Sequence, residues 1–203
     1  MEIDFAELSR SRVYAAMTQA IIPRPVAWVL SENPDGGHNL APFSYFNAVS
    51  SDPPLIMLSI GRKPDGTEKD TRVNIRERDA FVVHIPSRAQ AEAVTASSAG
   101  RAHGESEVAE LGLALTAFEG SPLPRLADCP IALACRRYQV IELGPPGQAL
   151  ILGEVIRLHA DEEVVRREGE DWRIDAAAVD PLGRLGGNDY SGRGERISGP
   201  HPG

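Results

Sequence analysis

A chain of 203 residues is long enough to bury a core that is stable without metal or disulfide staples. Its formal charge of −8 sets up an average field that repels nucleic acid and acidic membranes. No apolar run approaches the ~18 residues of a membrane span, and the opening MEIDFAELSR is acidic where a secretory leader is basic and then apolar, which predicts a cytoplasmic protein.

From Asp4, the run FAELSRSRVYAAMTQA predicts a helical stretch that ends at IIPRP, because the prolines flanking Arg24 hold the backbone extended. VAWVL (26–30) reads as a buried strand and NPDGG as its turn. FSYFN and LIMLSI read as two further strands, with SSDPP between them as a rigid corner, since proline lacks the amide that strand pairing requires. GRKPDGTEKD leads into TRVNIRER, a short helix; AFVVHI (80–85) is a strand of continuous apolar character, and RAQAEAVTASS suits a surface helix.

IALACRRYQVIEL and QALILGEVIRLHA, joined by GPPG, make a long hairpin whose half-polar alternation suits a barrel wall better than a parallel sheet. From about Asp171 the chain is glycine-rich and loop-like, with RLGGNDYSGRGE at 184–195, either a frayed end or a segment pinned by a ligand or a partner subunit. No repeat or linker divides the chain, so one domain over 1–203 is expected. At least six strands with only short helices between them predict a mainly β fold, an antiparallel Greek-key barrel.

Several chemistries lack their motif. GRKPDG begins like a phosphate-binding P-loop, but Thr67 and Glu68 stand where lysine and a hydroxyl residue must follow. No GxGxxG follows a strand and no GxSxG elbow exists. The histidines at 38, 84, 103, 159 and 201 show no metal-binding spacing; His84 reads as a hydrogen-bonded core neighbour rather than a pocket residue, and His103 as part of a mobile loop. Cys129 and Cys135, six apart in a strand, read as reduced core thiols. Neither a metal site nor a catalytic side chain is expected.

What remains suits a flat, amphipathic ring carrying one phosphate. Such a ring needs main-chain donors and acceptors at its edge and apolar walls on its faces. FNAVSS, read as a non-regular segment between a strand and the proline corner, offers Asn47, Ala48 and Val49 to a ring edge, hydroxyls from Ser50 and Ser51, and a wall from Phe46 or Tyr45. The same residues also suit plain core packing and turn formation. KDT at 69–71, ahead of a helix, supplies a cation, a capping residue and a hydroxyl where the helix start favours anions, with Arg62 and Lys63 nearby; taken alone it is an ordinary solvated cap.

IIPRPVAWV, NLAPFSYFNAVSSDPPLIMLSIG, KDTRVNI, FVVHIP and RLGGNDY, in that order, resemble the flavin reductase-like family, the FMN-binding split-barrel flavoproteins that include flavoredoxin-type proteins. The resemblance runs from about Tyr14 to Tyr190. It implies a six-stranded antiparallel split barrel, a homodimer, and FMN near the subunit interface. By match to the family pattern, the ring meets Asn47, Ala48, Val49, Ser50 and Ser51, and the phosphate lies near Lys69, Asp70 and Thr71. Arg24 and Pro25 border the site, Ser59, Gly61 and Arg62 lead toward the phosphate, and Arg184 and Tyr190 close over the cofactor. ESEVAELGL departs from the pattern, with Val108 where relatives often carry an aromatic. The implied activity is NAD(P)H-dependent flavin reduction, with a monooxygenase or electron-transfer protein as partner. The competing expectations are an electron-transfer flavoprotein reduced by another protein, and a non-catalytic barrel holding flavin or haem.

Overall fold

The structure, a computed structural model, describes residues 1–102, 104–145, 147–195 and 197; His103, His201 and one residue of the GPPG turn lie outside them. Its main sheet has seven antiparallel strands, one more than expected: β1 (Ala27–Glu32), β2 (His38–Phe43), β3 (Phe46–Ser51), β4 (Pro54–Ile60), β5 (Ala80–Ile85), β6 (Ile131–Leu143) and β7 (Gln148–Ala160). Their order is β2-β1-β5-β6-β7-β4-β3. The additional strand arises because FSYFN is not one strand. HNLAPF pairs with β1 and FNAVSS pairs with β4, leaving Ser44 and Tyr45 as the corner between them. Pro42 sits opposite Trp28 within β2, which is tolerated because β2 is an edge strand and loses no bond on its outer side.

One core cluster shows how the sheet curls. Val29 of β1, Phe43 of β2, Phe46 of β3, Leu58 of β4, Phe81 of β5, Cys135 of β6 and Ile151 of β7 all belong to it. An open, flat sheet cannot bring both edge strands into one interior, so the sheet is rolled around this core. Helix α1 (Arg10–Ala20) precedes the sheet, and α2 (Asp70–Arg78) inserts Ile75 into the same interior. The alternate residues of β1, Trp28 and Leu30, face a second buried cluster with Val94, Val108, Phe118 and Leu126. Both faces of β1 are therefore covered, which accounts for its unbroken apolar run.

The outer cover comes from α3 (Ala91–Ala96), α4 (Glu107–Glu110) and the chain that returns to β6. Trp28 Nε1 donates to Ser97 Oγ at 2.8 Å. His84 is fully buried; Leu126 N–H donates to its Nε2 at 2.9 Å, so its Nδ1–H donates to Trp28 O at 3.0 Å. Burial lowers the pKa of this imidazole to about 4, and it stays neutral in the core as the sequence suggested. Burial also holds both thiols protonated, raising Cys129 to about 12.

The stretch from Asp171 is more ordered than a loop. Asp171–Ile174 pairs with Val165–Glu168, Ala176–Val179 is a helical turn, and Gly183–Arg184 pairs both with Arg24–Pro25 and with Tyr190–Ser191. The tail is thus folded back onto the segment that precedes β1. Among the described residues no helix is long and apolar enough to cross a membrane.

Candidate functional site

The corner between β2 and β3, the end of β4, the start of α2, the end of α3 and the tail hairpin enclose a cleft of about 370 Å³, within the range of small-molecule sites. Tyr14, Phe43, Tyr45 and Tyr190 give it aromatic walls. The Tyr14 and Tyr45 rings lie 6.3 Å apart with 32° between their planes. Arg184 places its guanidinium 4.5 Å above the Tyr190 ring and donates to Gly187 O at 2.7 Å, while Thr95 Oγ1 donates to Tyr190 Oη at 3.3 Å.

The opposite end is polar. Ser59, Gly61, Arg62, Lys69 and Gln148 meet there, and Gln148 Nε2 donates to Ser59 Oγ at 2.9 Å. A side chain at Gly61 would press on the Gln148 carboxamide, 2.9 Å from the place of its Cβ. Lys69 is the half-buried residue immediately before α2, and its ammonium lies 5.5 Å from the Phe43 ring centroid. Among the described residues no carboxylate pairs with it. Burial, reinforced by the neighbouring charge of Lys63, lowers its pKa, so an anion bound beside it would satisfy a cation that the fold leaves uncompensated.

A second cleft, of about 560 Å³, shares Pro42, Lys69 and Ser98 with the first. It runs past Lys63, Asp70 and Thr71 to the 97–101 segment and Glu107. Lys63 Nζ pairs with Asp70 at 3.0 Å. Thr71 is buried, and its hydroxyl accepts from Asn39 Nδ2 at 2.8 Å. Asn39, Asn74, Ser31 and Asn33 continue a buried hydrogen-bonded chain behind this wall. Glu107 accepts the Leu40 amide at 2.9 Å, and burial raises its pKa.

The sequence-predicted residues fall into three groups. Ser59, Gly61, Arg62, Lys69, Arg184 and Tyr190 converge on the first cleft, and Asp70 and Thr71 join Lys69 in the second. Arg24 lies behind the site: buried, it donates to Ile21 O at 2.6 Å, to Leu185 O at 2.9 Å and to Ser44 Oγ at 3.4 Å, so it ties α1, the tail and the β2–β3 corner together. Pro25 is exposed on the short strand paired with Gly183.

The third group lines neither cleft. Phe46 is core, and Asn47, Ala48, Val49, Ser50 and Ser51 stand exposed along β3, a regular strand with a bulge at Val49 rather than a non-regular segment. Sequence reasoning missed Pro42, Phe43 and Ser44 as well as Gln148. The first three lay a few residues upstream in the same motif, hidden by reading FSYFN as one strand. Gln148 carried no local signal, because only the β7–β4 register brings it to Ser59.

Residues 17–176 match the model of the flavin reductase like domain. The chain belongs to the flavin reductase-like family. This family member superposes on nitrilotriacetate monooxygenase component B from Bacillus cereus with a TM-score of 0.90 and 35% identity, over 98% of each chain. It superposes on 2-nitrobenzoate 2-nitroreductase from Pseudomonas fluorescens with a TM-score of 0.89 and 31% identity, over 100% of this chain and 96% of that one. The flavoredoxin of Desulfovibrio vulgaris (Miyazaki F), at 24% identity and a TM-score of 0.78 over 98% and 97% of the two chains, shares the fold. The fold is the split barrel, with seven strands in its sheet.

Proposed function

We propose that this flavin reductase-like protein is an oxidoreductase that binds FMN in the aromatic-walled cleft and takes hydride from NAD(P)H. The observation that carries the reading is Lys69, a half-buried cation without a carboxylate partner among the described residues, at the polar end of a cleft whose other walls are aromatic. That pairing of an apolar slot with an unmatched positive charge fits a planar ring ending in a phosphate. Lys69 and Arg62 hold the phosphate, Ser59 and Gly61 pass beside it, and Asp70 and Thr71 fix the start of α2, whose dipole also favours an anion.

The residues that present the ring edge are those of the corner Pro42 to Tyr45. Arg184 and Tyr190 cover the ring, and Arg24 holds that cover in place through Leu185. When bound, FMN supplies hydride acceptance and donation itself. With FMN bound, the chain's own part would be to orient the ring between Tyr14, Tyr45 and Tyr190 and to limit the access of water to it. No side chain is assigned as an acid or base.

We further propose that the protein is a cytoplasmic homodimer. Among the described residues strand β3 ends the sheet with an unpaired edge and exposes Val49, while Tyr14, Met17, Ile21 and Ile22 are exposed along and just after α1. An open edge beside exposed apolar side chains favours self-association, and it would carry Asn47 to Ser51 toward the site of a second copy. Likeness to a monooxygenase component B supports a second reading of the reaction's destination, in which reduced flavin serves a separate monooxygenase.

The test is anaerobic stopped-flow mixing of the FMN-loaded protein with NADH and with NADPH. Fast loss of flavin absorbance with either supports the reductase reading. Absence of reduction by both leaves a flavoprotein reduced by another protein, and a protein that takes up no FMN refutes the cofactor reading.

A further inference from the structure

The aromatic-walled cleft carries Arg62, Lys69 and Arg184 on its walls and, among the described residues, no carboxylate, although the chain has a net charge of −8. A further cation stands behind it. Arg24 is 6% exposed and spends its guanidinium on neutral oxygens: Nη1 donates to Thr18 O and Ile21 O, Nη2 to Leu185 O and Nε to Ser44 Oγ. No carboxylate among the described residues pairs with it. A buried charge held by dipoles rather than by a counter-ion keeps its field, and a low-dielectric wall screens that field weakly. The cleft feels it: burial and the nearby Tyr14 raise the pKa of Tyr45, and Arg24 opposes them.

Ser44 is where this charge meets the cleft. It is a corner residue between β2 and β3 and lines the cleft wall. Its Oγ accepts from Arg24 Nε at 3.4 Å, and among the described residues no acceptor takes its own hydrogen. A hydroxyl has one hydrogen and two lone pairs, so a lone pair turned to Arg24 directs the hydrogen away from the guanidinium. The cation behind it makes it a stronger donor. Its neighbour Tyr45 is anchored as well, because the Ser59 amide donates to Tyr45 O at 2.9 Å. The corner is therefore braced from two sides before any ligand arrives.

A donor aimed at a permanent anion strengthens every redox state of a ligand alike. One aimed at a ring that is neutral when oxidised and gains negative charge on reduction strengthens the reduced state more. The phosphate already has Lys69 and Arg62, whereas the corner is the part of the cleft that meets the ring. We propose that Ser44 is a catalytic residue of the flavin site, its hydroxyl donating to the ring and favouring the reduced form, with Arg24 as the positioning residue that holds and polarises it. The assignment rests on the FMN reading of this cleft and deepens it. It adds no bond-making step: the hydride comes from the reductant, and the hydroxyl keeps its proton.

The test is the midpoint potential of bound FMN, read by anaerobic titration against reference dyes, beside the dissociation constant of oxidised FMN. Ser44→Ala should lose about tenfold in its preference for reduced over oxidised FMN, a fall of about 30 mV for a two-electron couple. Ser44→Thr keeps the hydroxyl and should stay close to wild type. In the Arg24→Met background, adding Ser44→Ala should lower the potential much less than it does in wild type, because the hydroxyl there is neither held nor polarised. An unchanged potential in Ser44→Ala, an equal fall in Ser44→Thr, or full additivity with Arg24→Met overturns the assignment. Should Ser44→Ala lose its cooperative melting transition, Ser44→Cys, whose thiol is a weak donor, must show the fall or the proposal fails. A protein that takes up FMN but whose potential ignores Ser44 sinks this assignment alone; one that takes up no FMN sinks the cofactor reading and this assignment with it.

Discussion

Removing the Lys69 ammonium tests the cofactor site most directly. Its charge is half-buried, has no carboxylate partner among the described residues, and is repelled by Lys63, so the phosphate would be its one strong counter-charge. A charge-assisted hydrogen bond of this kind contributes about 1.5–3 kcal/mol, and Lys69→Ala should therefore weaken FMN roughly ten- to a hundredfold. Riboflavin, which has the ring but no phosphate, should bind the variant and the wild type alike. The free variant should melt no lower than wild type, since it sheds a desolvated charge. Quenching of flavin fluorescence measures both ligands, and the variant's loss of FMN affinity should shrink as salt is raised. Equal FMN affinity in the two proteins, or a loss for riboflavin as large as that for FMN, refutes the phosphate assignment.

Other consequences follow from the core and its ties. His84 is neutral and burial holds its folded pKa at about 4, below the ordinary histidine value of 6.5; the unfolded chain takes up a proton as pH falls through 6.5 while the folded one resists until about 4. Stability is therefore full above pH 6.5 and falls by about 3 kcal/mol on acidification to pH 4; urea midpoints across that window should show this slope, and a His84→Gln variant that keeps the same slope would exclude the imidazole as its source. Gly153 has Phe81 packed where its Cβ would stand, so Gly153→Ala should cost about 1–3 kcal/mol, and an unchanged melting temperature would contradict that packing. Arg24→Met removes the donors to Ile21, Leu185 and Ser44; chymotrypsin should then cut at Tyr190 faster and FMN should weaken roughly tenfold, whereas wild-type protection would mean that the tail is held by other contacts.

The elements that the chain could announce locally were legible. VAWVL, AFVVHI and the long hairpin carry their own hydrophobic pattern and appear as β1, β5, β6 and β7. The KDT segment lies at the start of α2 as read, yet with Lys69 as the capping position and no side-chain cap bond. Elsewhere non-local pairing decided. FSYFN read as one strand, whereas Phe43 ends β2 and Phe46 begins β3 with Ser44 and Tyr45 as the corner between them, and Pro42 is tolerated in β2 because that strand lies at the sheet edge. The tail read as a loop because its two-residue strand Gly183–Arg184 is held by pairing with Arg24–Pro25 and by the Arg24 bond to Leu185, which no periodicity reveals.

The polar end of the cleft owes its geometry to a residue that does not line it. Arg72 is almost wholly buried; it pairs with Glu68 at 2.7 Å and Glu142 at 2.5 Å and donates to Gly147 O at 2.6 Å. These bonds clamp the first turn of α2 to the turn between β6 and β7. Lys69 sits three residues before Arg72, and Gln148 follows Gly147 directly, so one guanidinium sets the spacing between two residues far apart in sequence. A flexible cation could find a phosphate without such a brace, but only by losing side-chain freedom on binding. Fixing Lys69, Ser59 and Gln148 in one frame before the ligand arrives removes much of that cost. A larger residue at Gly61 would have to displace the Gln148 carboxamide, which lies 2.9 Å from the place of its Cβ and donates to Ser59.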